Sequence, residues 1–334
     1  MKTSRFATPA CFMSAALLWG LSAIISKDQA LAGSPELSVG IRMTIVSIVM
    51  FIFCRLKGIG LFPPRRVIPT IVLQGSLFFS LGFIFFYYST LYIPSGVSAI
   101  LLSISAVVAA VASAAFFSQP LSRQKTVGVL LGIAGLAILF KPQVSVAMNE
   151  QLNGTGLLLG CAAACATGLG TVFGGKNQSL GTPVPLCMAW GAAIGASMSF
   201  LIAFVHRDEI SIILSVKYFL GLGYLSLLGS CLAFFLYFKL VERIGAGAAA
   251  SILATVPLIA VAVSVIFENL PLNQHLFLGG AVILVGNLLV LVEGLPFAVR
   301  GGAQGPAPSR NTDPSFKKGS SFQQRSKYEH RFER

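Results

Sequence analysis

The 334-residue sequence predicts an all-α integral membrane fold, ten transmembrane helices arranged as two inverted five-helix repeats. Three observations lead there. The chain is 55% hydrophobic and only 10% charged, whereas an ordinary soluble domain carries about 25% charged residues. Apolar runs of about 20 residues, enough to cross a hydrocarbon core of roughly 30 Å, recur between short breaks. The later runs also repeat the earlier ones at a nearly constant spacing.

The runs cover residues 8–26, 38–56, 67–89, 94–118, 124–141, 154–175, 184–205, 217–239, 246–267 and 274–293. Turn chemistry separates them: Ala32-Gly33-Ser34-Pro35, Pro63-Pro64-Arg65-Arg66, Ile93-Pro94-Ser95-Gly96, Gln119-Pro120, Lys141-Pro142, Gly181-Thr182-Pro183, Gly245-Ala246-Gly247 and Pro271. The first run has a second reading as a cleaved signal peptide, since Lys2 and Arg5 precede it and Ala30-Leu31-Ala32 has a small-x-small pattern. Lys27-Asp28-Gln29 intervenes between run and site, and the internal repeat needs this helix, so a retained span is expected.

Charge placement sets the orientation. Cytoplasmic loops collect Lys and Arg. With the N-terminus inside, nineteen of the 24 basic residues fall on the inner side, eight of them in the tail after Val299. The outer side keeps Lys27, Arg42, Lys141, Arg207 and Lys217. Both termini are therefore expected in the cytoplasm of a multi-pass inner-membrane protein. The net charge of +13 reflects these loops and does not point to nucleic acid as a partner. Residues 294–334, rich in Gly, Pro, Ser and basic side chains, read as a disordered tail with some attraction to anionic headgroups. The six cysteines all sit in apolar stretches without a C-x-x-C spacing, so they read as small packing residues.

The repeat is legible by eye. Residues 93–140 lie on 244–291 without a gap at an offset of 151, with identities at Gly96/Gly247, Ser113/Ser264, Phe116/Phe267, Pro120-Leu121/Pro271-Leu272, Gly128/Gly279 and Gly135/Gly286 among others. Near the starts of the halves, Gly20/Gly168, Gly33/Gly181 and Pro35/Pro183 share an offset of 148. Five spans is an odd number, so the second half enters the membrane inverted relative to the first. Many secondary transporters are built this way, because two inverted halves can exchange conformations and open one side as the other closes.

Several segments resemble the drug/metabolite transporter superfamily, in particular its EamA-type members. They are Leu17-Leu18-Trp19-Gly20-Leu21-Ser22, Arg42, the stretch 88–102, Pro120-Leu121, Gly128 to Gly135, Tyr237-Phe238-Lys239-Leu240 leading into Ile244-Gly245-Ala246, Pro257 and Gly286. The likeness covers residues 9–141 and 154–292, each expected to be one EamA-like five-helix repeat. One departure stands out. The family usually writes Gly-Glu where the fourth and ninth spans end, and this chain has Ser118-Gln119 and Asn269-Leu270 there, with Glu268 one place off.

Ionisable or strongly polar side chains inside spans are costly, so each is a candidate for function. Arg42 either snorkels to the outer interface or faces a cavity and holds a substrate carboxylate or phosphate through its planar fork. The repeat places Trp190 at the equivalent position, which suggests an indole on the opposite wall. Gln74 either bonds a neighbouring helix or lines the pathway. Trp19 sits mid-span with Ser22, away from the interfacial belts where aromatics gather, whereas Tyr88 and Tyr237 read either as belt residues or as cavity lining. The expected site is thus Trp19, Ser22, Arg42, Gln74, Tyr88, Trp190 and Tyr237. Hydroxyls such as Ser103, Ser230 and Thr255 read as helix-packing residues.

No catalytic constellation, metal-ligand spacing or nucleotide loop appears, so no enzyme activity, cofactor or metal is expected. The resulting expectation is a secondary transporter of a small metabolite, an amino acid or related compound, working by alternating access and in the direction of export. A lipid-modifying membrane enzyme and a channel or scramblase are the alternatives, and a homodimer remains open. No carboxylate or histidine falls near the midplane, which predicts facilitated diffusion or exchange over proton coupling.

Overall fold

A computed structural model of the protein describes residues 7–117, 121–144, 153–206, 213, 215–244 and 246–292. The expected tail, 294–334, lies outside them. The helices are α1 (Ala7–Leu31), α2 (Pro35–Leu56), α3 (Arg65–Tyr92), α4 (Ser95–Phe116), α5 (Arg123–Val144), α6 (Gly154–Ser179), α7 (Val184–Val205), α8 (Val216–Tyr237, continuing to Ile244), α9 (Ala246–Phe267) and α10 (Gln274–Leu291). Among the described residues α1 to α4, α6 to α8 and α10 are long and apolar enough to cross a membrane, and α9 contributes a shorter apolar stretch, Ser251–Phe267. Eight of the expected spans are matched by that measure, and α5 and α9 pack within the same bundle.

The helix ends follow from the residues that the breaks supply. Pro35 opens α2 with Glu36 in its first turn and Arg55 in its last, a charge order that suits the helix dipole. Asn153, Ser215 and Asn273 cap α6, α8 and α10 by accepting the backbone N–H of Thr155, Tyr218 and Leu276. Gly181 adopts φ 85° after α6, the left-handed conformation in which a glycine closes a helix at little cost. Where α1 was expected to stop near residue 26, it runs on to Leu31. Lys27 and Asp28 leave the apolar layer without breaking the helix.

Two helices carry π-helical turns, Gly75–Leu81 in α3 and Tyr224–Leu232 in α8. They occupy corresponding places in the two halves. A π-turn withdraws backbone groups from regular pairing and often marks a functional position.

Packing follows the repeat. α5 lies along α10 and α2 along α7, while α1 contacts α8 and α9 as α6 contacts α3 and α4. The glycines that matched in sequence meet in space. A Cβ at Gly128 would lie 2.6 Å from the carbonyl oxygen of Gly286, and one at Gly135 would lie 2.8 Å from that of Gly279. Because 128 pairs with 279 and 135 with 286 in the repeat, each contact is the other's counterpart. Small residues let these two backbones approach closely, the usual basis of helix association in lipid. The largest core cluster gathers Met43 and Val46 of α2, Phe79 and Tyr87 of α3, and Met188 and Ala192 of α7. Cys54 and Cys187 are buried within the bundle and Cys165 is exposed, all as free thiols.

Candidate functional site

Arg42 is the eighth residue of α2, about 10 Å along the axis from Pro35 at 1.5 Å per residue. It is 3% exposed. The guanidinium lies over the ring of Phe83 on α3, 4.5 Å from its centroid, and one terminal nitrogen donates to Ser230 Oγ on α8 at 3.2 Å. Its Nε is buried without a hydrogen-bond partner. Among the described residues no carboxylate pairs with it. The side chain turns inward between α3 and α8, the geometry that the cavity reading requires.

The π-turn of α8 supplies the rest of the site. Ser230 donates its hydroxyl to Leu225 O at 2.8 Å, five residues back, which leaves its oxygen to accept from Arg42. Ser226, earlier on the same turn, is fully buried with an unpaired hydroxyl. A buried cation without a counter-ion and a buried unpaired hydroxyl each cost free energy, and an ionisable side chain inside a span is a candidate for function.

Two of the remaining expected residues, Trp19 and Ser22, reach the same turn, and a third, Tyr237, meets Trp19. Trp19 donates its indole N–H to Gly229 O at 3.0 Å, next to Ser230. Its ring meets Phe234 edge-on at 5.2 Å and Tyr237 at 5.7 Å. Ser22 bonds back to Leu18 O at 2.7 Å, and a Cβ at Gly229 would lie 2.7 Å from Ser22 Oγ. Glycine at 229 thus lets α1 and α8 touch where the indole reads the backbone.

Tyr88 lies on the same α2–α3 seam, nearer the end of the bundle where α1 finishes. Its hydroxyl donates to Glu36 Oε1 at 2.7 Å, Ser34 donates to Oε2 at 2.9 Å, and His206 Nδ1 stands 3.5 Å from Oε1. Glu36 is 2% exposed and borders an open cavity of about 290 Å³ with Tyr88, Leu91 and His206.

The same end carries a denser polar cluster. Glu268, just past α9, accepts from Lys27 Nζ at 2.6 Å and from the Ser95 N–H at 3.0 Å. The hydroxyls of Ser95 and Ser264 also donate to it. Burial pushes this carboxyl up, but the donors Lys27, Ser264 and Ser95 outweigh burial and hold it below its ordinary value of 4.5. A lowered value means that the contacts persist above the ordinary carboxylate range and are lost only as pH falls through the lowered one.

Gln74 and Trp190 sit elsewhere. Gln74 accepts from Asn177 Nδ2 at 2.9 Å, and Thr70 donates to the Asn177 side-chain oxygen, so Gln74 ties α3 to α6 near the opposite end. Trp190 donates to Leu61 O at 2.7 Å, meets Phe51 edge-on and lies tilted against Phe62, holding the α2–α3 connection. The expectation of an indole facing Arg42 is corrected here. An inverted repeat carries an equivalent position to the other end of the bundle, not across the cavity.

Sequence reasoning missed Phe83, Ser226, Glu36 and the partners of Glu268, and it assigned Ser230 to packing. The signal for Ser226 and Ser230 was present as two hydroxyls four apart in a span. The π-turn that brings Ser230 to Arg42 is not written in residue type. Among the described residues no group of three or more metal-type side chains converges.

Comparison with known proteins gives a consistent picture. The model of the EamA-like transporter family matches residues 9–141 and 154–292. An uncharacterized transporter of Bacillus subtilis, YvbV, is 24% identical over 82% of this chain and 88% of its own length. The uncharacterized inner membrane transporter YedA of Escherichia coli is 24% identical over 73% of this chain and 78% of its own. A Salmonella typhimurium protein named as a probable amino-acid metabolite efflux pump is 25% identical over 85% of this chain and 93% of its own. A solved crystal structure at 19% identity superposes with a TM-score of 0.58, covering 86% of this chain and 96% of that one, which supports the fold.

Proposed function

This chain belongs to the EamA-like transporter family, and from that premise we propose that it is a secondary transporter whose substrate carries a carboxylate or similar anion bound at Arg42. The observation that carries the reading is the buried guanidinium of Arg42, whose Nε has no partner while a terminal nitrogen donates to Ser230. A guanidinium offers two parallel N–H groups to a planar anion, and Ser226, four residues before Ser230 on α8, has an unpaired hydroxyl. Trp19 and Tyr237 provide an aromatic flank, so the substrate is amphipathic, an amino acid or a related compound. The name of the Salmonella relative supports that class and the direction of export.

Arg42 is closed off from solvent in this conformation, so transport requires one end of the bundle to part at a time. The inverted repeat supplies the means. No described carboxylate adjoins Arg42, which favours facilitated diffusion or exchange over proton coupling, with Gln74, Tyr88 and Trp190 acting away from the anion itself. Saturable uptake of an amino-acid-type solute into proteoliposomes tests the proposal, since a channel or scramblase gives a flux linear in concentration.

The proposed orientation places both termini in the cytoplasm of an inner-membrane protein, with Glu36 and Glu268 at the outer end. Reporter fusions at Asn149 and Glu209 are expected to read outside, and fusions at Arg65 and after Arg300 inside. The opposite pattern would reverse the orientation.

A further inference from the structure

The polar cluster around Glu268 is unequal to its counterpart in the other half, and that inequality has a consequence for the resting state. Glu268 joins three helices: it accepts from Lys27 on α1 and from the backbone and hydroxyl of Ser95 at the start of α4, while it hangs from the end of α9. Ser264 on α9 completes the seam by accepting the Gly96 N–H at 2.9 Å. Asn269, in the left-handed region at φ 52°, turns the chain so that the Leu270 N–H returns to Ser264 O at 3.3 Å. This closure fixes where the carboxylate points. An anion on the first N–H groups of α4 also meets the positive end of that helix.

The repeat offsets of 151 and 148 identify the equivalent positions at the other end. Glu268 corresponds to Phe117, Ser95 to Ala246 and Lys27 to Gly175. A Cβ at Gly175 would meet nothing within 4 Å. A second contact, by contrast, is present at both ends. Gln29 bonds Tyr218 O at 3.1 Å where α1 meets α8, and its equivalent Asn177 bonds Gln74 where α6 meets α3. The amide tie is thus present in both halves, whereas the residues equivalent to Lys27, Ser95 and Glu268 carry no ionic side chain.

We propose that Lys27, Glu268 and Ser95 form a latch that closes the outer gate, and that its one-sidedness makes the outside-closed conformation the resting state. Two inverted halves of equal strength would populate both openings alike. A charge-assisted contact with no equivalent in the other half biases that equilibrium. Lys27 is 24% exposed and Glu268 9%, so the pair is shielded enough to hold and near enough to water to be released. The term "outer" rests on the orientation proposed above.

The test is side-specific labelling. In a variant with the six native cysteines replaced by alanine, Ser230→Cys places a thiol at the position that contacts Arg42. A membrane-impermeant maleimide is then added to intact cells or to inside-out vesicles. Glu268→Gln and Lys27→Met are each expected to raise labelling from outside about tenfold and to lower it from inside. Lys27→Arg, which keeps the ion pair, is expected to label as the parent does and so shows that position 27 tolerates change. Unchanged outside labelling in Glu268→Gln and Lys27→Met would overturn the latch. So would a rise from both sides, which signals general loosening, or a rise from inside alone. If wild-type protein fails to transport, the carrier reading falls while this labelling comparison still stands on its own.

Discussion

Arg42→Ala is expected to lose substrate affinity by about 2–4 kcal/mol, roughly 30- to 1,000-fold in Kd, as truncating one partner of a desolvated charge pair does. The protein should still insert and fold. Its guanidinium contributes one hydrogen bond to Ser230 and a contact with Phe83, and against these stands the cost of a buried cation with an unpaired Nε. Replacing an unpaired buried charge by an apolar residue is often neutral or stabilising. Thermal stability of the purified variant should therefore match or exceed the parent's while binding collapses. A purely structural arginine would show the reverse. Arg42→Lys should recover little, because an ammonium does not reproduce the planar fork. Binding measured by ligand-induced thermal shift separates these outcomes, since a bound ligand raises apparent stability by mass action. Normal binding in Arg42→Ala would place the substrate elsewhere.

The second large effect is expected between α5 and α10. Gly286→Ala puts a Cβ 2.7 Å from Gly128 O and 2.8 Å from Gly132 N. Both obstacles are backbone, so no side chain can swing aside, and the two helices must separate along their length. Overpacking of this kind costs about 1–3 kcal/mol, and Gly286→Leu should cost more than Ala and leave little folded protein. Gly128→Ala, whose Cβ meets Gly286 O at 2.6 Å, should cost a similar amount. Gly175→Ala is the internal control. Its Cβ meets nothing, and exchanging a helical glycine for alanine gains about 0.5–1 kcal/mol. Thermal midpoints followed by size exclusion in detergent check all four. Equal tolerance at 286 and 175 would mean that α5 and α10 do not pack through their glycines.

These glycines also show how much of the fold the residues announce. Gly128, Gly135, Gly279 and Gly286 were visible as repeat identities, and the reason for them is geometric: each faces its counterpart's backbone. The breaks at Gly33-Ser34-Pro35 and Gly181-Thr182-Pro183 marked true helix ends, because proline starts a helix and glycine stops one. Helix lengths were less legible. α1 and α6 run past the apolar layer to Leu31 and Ser179, since charge ends a span without ending a helix.

The site was half legible. Arg42 announced itself as an ionisable residue in an apolar run, and Trp19 as an aromatic away from the interface. Their meeting at Gly229 and Ser230 was hidden, because it depends on contacts between residues 210 and 188 positions apart and on a π-turn. Trp190 was misplaced for a different reason. Sequence offset finds the equivalent residue correctly, but inversion sends that residue to the other end, where it holds Leu61. Glu268 stood out as a carboxylate one place off the family's Gly-Glu position, but its convergence with Lys27, Ser95 and Ser264 was not legible.

Counterflow tests the central claim, that one anion site is exposed alternately to the two sides. Proteoliposomes preloaded with a high concentration of an unlabelled amino-acid-type substrate are diluted into a trace of the labelled compound, and internal label is followed with time. A carrier that must return loaded exchanges its cargo, so the label should accumulate transiently above its external concentration and then decay. The overshoot should vanish in Arg42→Ala. Uptake that rises only to equality with the outside, with or without preload, would contradict alternating access and leave a channel-like pathway in its place.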